Sequence, residues 1–551
     1  MCHMSYVIHT PPVYPVRKIG VFTIEYILVM VYTVYRFYRR FKTIRIYMRY
    51  SMKRSISLIL TLAMLVLPVL AACSGEGGTS SADTAAADAS HDTVETAGSI
   101  ALADMTDGLE DRDMNGWELS ILNWDGGTLT WANVVITPEA LDGDTLNDAI
   151  YQRNADLCER FNITIRADDS KSVQSEMARN VTAGDDVYTI YLSNEAYGGN
   201  QGIAGHIPYA LDWQEIPCLS LDSPWWNPDA TSVYKLSGHQ VALAGNCSLT
   251  VVSRAVCMVF NKVIWEDAGT GENLYSLVDS NKWTVDKYLE VTKEIGRDLN
   301  GDGVMDKNDL WALNMGRGFK GYTASFLAGS GMNYTEPAGD GSYVFALDSN
   351  EKALTLLAKL VDALAVEGYC YNEDASVHSF APSDHFKNSH ALFTQGVPND
   401  IYKLRDMEDD IGLLPMPKHD ESQENFYSAA WGGAVWTLAR TFDMDFAENL
   451  GMTLEAMSFA GWRDVIPVYK EIALKTKTAR DNESEAMLDI IFGSIYFDFG
   501  TNICYDAVLA PTFLTDIWHS RDSGAIVSTI EKYKPKINQY ITDLVIVASE
   551  M

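Results

Sequence analysis

From Trp117 to the C-terminus, short apolar runs alternate with stretches whose apolar residues fall at helical spacing. Residues 118–124 (ELSILNW) predict a first strand. Leu146, Ile150, Leu157 and Phe161 then recur on one face of a helix. Residues 162–166 predict a second strand, 187–192 a third, and 254–263 (RAVCMVFNKV) a further apolar one. Val285, Tyr288, Leu289, Thr292 and Ile295 predict another helix, as do Leu357, Leu360, Val361 and Leu364. Strand and helix in alternation predict an α/β fold. No internal repeat is visible.

Upstream of this the pattern changes. Met52, Lys53 and Arg54 give a basic start, and residues 56–70 form an apolar run too short for a bilayer span of about 20 residues. It ends in Leu70, Ala71, Ala72 and Cys73, an order that resembles a bacterial lipobox. Small residues leave the backbone open to a peptidase, and the Cys73 thiol can take a diacylglyceryl group. The expectation is a lipoprotein signal peptide over residues 52–72 and a mature chain lipid-anchored on the extracellular face of the cell membrane. Residues 1–51 carry Glu25 inside their apolar stretch and read as an upstream extension from a mis-assigned start. Residues 73–115, rich in Gly, Ser, Thr, Ala and Asp, predict an unfolded tether.

Charge narrows the partners. The chain carries a net charge of −32, and removing residues 1–72, with ten basic side chains and one acidic, takes it to −41. Such a field repels nucleic acid and anionic headgroups and favours neutral or cationic ligands. Beyond Cys2 and Cys73, six cysteines are scattered without metal spacing. Export permits disulfides, sequence leaves their pairing open, and Cys158 reads as a small core residue.

The order of NADLCERFNITI, VFNKVIWEDAG, LYSLVDSNKWTVDKYLEV, HALFTQG, IGLLPMPKHDESQENFYS and LKTKTARDNESEAMLDIIF resembles the extracellular solute-binding family 1 proteins, relatives of the maltose-binding protein. The resemblance implies a type II periplasmic-binding-protein fold, two α/β lobes joined by a hinge. By that analogy lobe one takes residues 116–255 and 385–425, lobe two 256–384 and 426–551. It further implies a monomeric substrate-binding lipoprotein of an ABC importer, with a small solute, a mono- or oligosaccharide, and permease subunits as partners. Capture in such a fold uses loops after strand ends, where aromatic faces meet sugar C–H faces and polar side chains meet hydroxyls. The candidates are Trp124, Tyr191, Asn194, Glu195, the Trp225 and Trp226 pair (one of the two in the cleft), Arg317 and Trp431. With 13 tryptophans, most must be core.

One motif stands apart. Asp298, Asn300, Asp302, Val304, Asp306 and Asp309 occupy positions 1, 3, 5, 7, 9 and 12 of an EF-hand-like loop, with Gly303 at the sharp turn. Asp309 replaces the usual Glu and reaches less far. The loop predicts a calcium ion acting as a staple in lobe two. Two other functions compete with the binder. A secreted glycoside hydrolase needs two carboxylates about a bond, which 73 mature acidic residues cannot identify. A calcium-dependent scaffold or adhesion lipoprotein would use paired loops of this type, and the sequence shows one. No catalytic motif is present, so the chain reads as a non-enzyme.

Overall fold

The computed structural model describes residues 105–124, 135–194, 202–315, 318–339, 341–371, 384–401, 404, 406–430, 433–475, 482–509 and 513–551. All lie in one compact unit, Gly98–Met551. The strands used below are β1 (Trp117–Trp124), β2 (Ile163–Ser170), β3 (Ile190–Asn194), β4 (Lys235–Leu236), β5 (His239–Gln240), β6 (Cys257–Asn261), β7 (Trp311–Asn314), β8 (Thr335–Pro337), β9 (Tyr343–Phe345), β10 (Cys370–Tyr371), β11 (Ala391–Gly396), β12 (Ile411–Leu414), β13 (Ser428–Ala429) and β14 (Ala434–Leu438).

Two sheets organise the molecule. The first runs β14-β3-β1-β2, with β1 parallel to β2 and β3, and β14 antiparallel to β3. The second runs β10-β7-β11-β6-β12, with β6 antiparallel to both neighbours. Each sheet needs helices over its faces, and the sequence supplies them where the helical spacing fell. The helix Thr145–Phe161 starts because the Asp144 carboxylate accepts from the amides of Leu146 and Asn147, and ends as Asn162 turns left-handed at φ 49°. It buries Ile150, Leu157 and Phe161. The helix Glu351–Leu364 buries its predicted face too, whereas Val285–Thr292 buries Val285, Tyr288 and Thr292, leaves Leu289 half-buried and ends before Ile295.

Several boundaries differ from the sequence reading. The third strand begins at Ile190, three residues late, because Val187 is exposed. The strand expected through residue 263 stops at Asn261, whose side chain accepts from the Ile264 amide and starts the helix Lys262–Asp267. The end of the expected tether is ordered: Arg160 pairs with Asp107 and Asp111, and Met114 is buried. Residues 1–104, with Cys73 and the signal segment, lie outside the described residues. Among the described residues no helix is long and apolar enough to cross a membrane.

The lobe assignment needs the larger correction. Residues 391–414 were expected in lobe one, but β11 lies between β6 and β7, and β12 pairs with β6, all in the second sheet. The return to lobe one comes later, where β14 joins the first sheet beside β3. A fully buried strand carries no mark of which sheet it will join. The helix Ala447–Ala460 stays with lobe one through Leu450, Leu454 and Met457 in the core of the first sheet. The later helices Phe499–Asn502, Phe513–Ser520 and Ile526–Ala548 pack on the second sheet's side.

Candidate functional site

The lobes meet where the chain crosses between the sheets. The Val256 amide donates to Ala429 O at 2.7 Å, and Ala255 forms an antiparallel bridge with Ala430. These crossovers enter β6 and leave toward β14 at the carboxyl ends of the parallel strands β3, β7 and β11. A third passage is a continuous helical path, from Ala447–Ala460 through the π-turn Gly461–Val465 into Ile466–Lys475.

A cavity of about 230 Å³ opens at this boundary. The segment 202–205, which follows β3 and places Ile203 in the core on the second sheet's side, lines one wall; Asn502, Tyr505, Asp506 and Tyr540 line the other. Asn502 is held in place. Its side-chain oxygen accepts from the Asp498 amide at 2.9 Å, and its amide nitrogen donates to Ala430 O of the crossover at 3.4 Å. Asp498 in turn caps the helix Phe499–Asn502 through the Thr501 amide and accepts from the Tyr334 amide. Burial pushes its carboxyl up to about 6, while these backbone donors act the other way. The Tyr540 hydroxyl is also raised, by burial first and by Cys504 and Asp506 next. Next to the cavity wall His206 is fully buried, and burial pushes its imidazole down to about 3. The lining therefore offers two phenol hydroxyls, a carboxamide, a carboxyl and backbone groups. That set can hydrogen-bond hydroxyls and stack on an apolar face.

The predicted ligand residues lie elsewhere or outside the described part. Trp124 and Tyr191 sit in the core of lobe one, and the Tyr191 hydroxyl is hydrogen-bonded to Asn180. Trp225 and Trp226 are both buried, which corrects the expectation that one would face the cleft. Their indole N–H groups donate to Glu455 at 2.9 and 2.7 Å, and the Ser220 amide donates to it at 3.0 Å. A buried indole needs an acceptor for its N–H, and Glu455 supplies one to both. The backbone of Asn194 ends β3 opposite Ala434. Glu195, Arg317 and Trp431 lie outside the described residues. Sequence reasoning missed the cavity residues because they come from segments some 300 positions apart, with no local motif in either. All six cysteines of this part are free thiols.

The EF-hand-like loop lies at the other end of the second sheet, before the amino end of β7. Arg297 and Leu310 pinch its base with two backbone hydrogen bonds of 2.8 and 3.0 Å. Asp298 accepts from the amides of Gly301 and Gly303, and the buried Asp309 from those of Leu299 and Asp306. Those backbone donors hold the Asp309 carboxyl below the usual range. The donor set is all oxygen, which suits calcium. As folded, however, the carboxylates turn to the loop's own amides, and among the described residues no group of three or more His, Cys, Asp or Glu side chains gathers to hold a metal.

The architecture is shared with known proteins. The cyclic alpha-maltosyl-1,6-maltose binding protein of Arthrobacter globiformis superposes with a TM-score of 0.50 at 15% identity, over 78% of this chain and 100% of that one. The fold is that of the type II periplasmic binding proteins. A cyclo/maltodextrin-binding protein complexed with maltotetraose gives 0.47 at 13% identity, over 80% and 98% of the two chains. The maltose-bound MalE3 of T. maritima gives 0.45 at 13%, over 78% and 100%. No protein-family model matches the sequence, and no curated protein does.

Proposed function

We propose that this chain is the extracellular substrate-binding lipoprotein of an ABC importer, anchored through Cys73, which captures a small neutral solute of the sugar class and passes it to a permease. The observation that carries this reading is the pair of α/β lobes joined by crossovers, with a polar-lined cavity whose Asn502 is bonded to the crossover at Ala430. Two lobes on crossover strands can change their mutual angle, and a solute touching both shifts that balance by its differential affinity. At about 230 Å³ the cavity is smaller than the roughly 300–1,000 Å³ of pockets for drug-sized ligands, which favours a monosaccharide over a longer chain. The Arthrobacter protein's named ligand, a cyclic maltose dimer, agrees in chemical class. No bond is made or broken in this reading. Among the described lining residues Asp506 is the one carboxyl group, whereas glycoside hydrolysis needs two.

The test is a thermal-shift and calorimetric screen of the protein against monosaccharides and short oligosaccharides. A neutral monosaccharide is expected to raise the melting temperature, and Y540A to weaken that binding about tenfold or more through the lost ring and hydroxyl contacts. A panel in which no sugar shifts the melting temperature, or turnover of an oligosaccharide, defeats the reading.

For the loop at residues 298–309 we propose calcium, on the strength of its residue pattern and its oxygen donors. Asp298, Asn300, Asp302, Asp306, Asp309 and the Val304 carbonyl would hold it, supplying stability and no chemistry. Calcium at about 100 times its Kd is expected to stabilise the fold by about 2.7 kcal/mol, and D302A to abolish the gain. Calorimetry on chelator-treated protein showing neither heat nor a melting shift defeats this assignment.

A further inference from the structure

A short hairpin leaves lobe one and fastens onto lobe two. Strands β4 and β5 are joined by Ser237 and Gly238, both left-handed at φ 52° and 89°. Positive φ at both central residues makes a turn that matches the twist of the strands and keeps the hairpin tight. It is tied to lobe one along its length: Asp212 accepts from the Gln240 amide and pairs with His239, both at 2.9 Å, and at the turn Gln214 donates to Gly238 O at 2.6 Å. The same segment joins the first sheet, where the Leu211 amide donates to Leu438 O and the Leu243 amide to Trp436 O.

The tip reaches the other lobe. The Ser237 hydroxyl donates to Val545 O at 3.0 Å, and the Ser237 amide to Gly341 O at 3.3 Å. Gly341 lies between β8 and β9, and Val545 lies in the helix Ile526–Ala548 directly after Leu544, a wall of the cavity. Below the tip, Tyr234 and Leu236 are fully buried, and the Tyr234 ring meets Phe497 of lobe two edge-on at 6.0 Å. Tyr234 and Leu236 belong to the hydrophobic core of lobe two rather than to that of the first sheet.

We infer that the 235–240 hairpin is a strap that holds lobe one against lobe two beside the cavity, by two hydrogen bonds at its tip and two buried side chains at its base. This holds whether or not the cavity takes a sugar. Both acceptors at the tip are carbonyl oxygens, so a negative charge there is repelled as well as unpaired. A change at residue 237 therefore acts on the join between lobes and leaves each sheet as it was.

The full chain carrying S237D, S237A or S237N tests this without a ligand. Hydrogen exchange is read at the 536–548 segment and at the first sheet, and the radius of gyration by small-angle scattering. With S237D, exchange at residues 540–548 is expected to rise about tenfold, the ratio that follows from losing hydrogen bonds of ordinary strength, with a larger radius of gyration and unchanged protection at Ser120 and Thr189. S237A is expected to give a smaller change in the same direction. S237N, which tolerates positive φ and keeps a donor, is expected to restore the wild-type pattern. Wild-type exchange and radius in S237D would overturn the proposal. So would a loss of protection spread evenly over both sheets in S237A, since that marks general destabilisation rather than release of a strap.

Discussion

Replacing Glu455 with alanine should cost the protein about 3–5 kcal/mol, seen as a lower urea midpoint and an altered tryptophan emission. The Glu455 side chain is fully buried in the helix Ala447–Ala460 and accepts from both Trp225 and Trp226 and from the Ser220 amide. Alanine strips the acceptor from two buried indole N–H groups and from the Ser220 amide at once. The loop over residues 217–227 would then be held to the helix by the Ser458 hydroxyl, which donates to Trp225 O at 2.7 Å. E455Q keeps one oxygen and should cost less, about 1–2 kcal/mol. W225F and W226F each remove a single hydrogen bond and leave the carboxyl its other partners, so each should fall below E455A. An E455A midpoint equal to the wild type would show that the indoles are held by packing alone.

The second large effect is expected at Gly461, the first residue of the π-turn in the third passage between lobes. A Cβ there would lie 1.8 Å from Asn246 O and 2.9 Å from its carbonyl carbon. Asn246 cannot yield, because its amide donates to the Ser458 hydroxyl and its side chain to Trp225 O. G461A must push the helix away from lobe one, at a cost of about 3 kcal/mol. The π-turn gives the measurement a local readout: exchange should rise first at residues 461–466, where the helix changes its hydrogen-bond pattern. Gly493, with open space at its Cβ, is the control, and G493A should stay within about 0.5 kcal/mol of the wild type. Equal midpoints for the two variants would mean that the helix is free to shift.

Both effects arise from contacts that no sequence window contains. Glu455 lies 230 residues from Trp225, and the SPWWNP segment reads as a Pro-flanked loop with one tryptophan in the cleft until that carboxyl is placed beneath it. The same distance effect explains the lobe boundary. HALFTQG is apolar and β-prone, and the structure makes it strand β11. Which sheet it entered depended on β6 and β7 leaving a gap for it, which is a property of three segments together. The cavity is a stronger case still, since residues 202–205 and 502–544 have no pattern in common.

Local periodicity was enough to place β1, the helix Thr145–Phe161 and the helix Glu351–Leu364, because an element's burial face is written at fixed spacing along it. The order of those elements and their resemblance to known binders also carried the α/β fold class. Tertiary structure alone decided that Trp225 and Trp226 are core, that lobe one resumes at β14, and that the boundary between lobes encloses a cavity under a hairpin strap. The physical reason is that a site between lobes is made of distant surfaces. Its residues are chosen by what they face across the gap, and a single chain position does not record its neighbour on the other side.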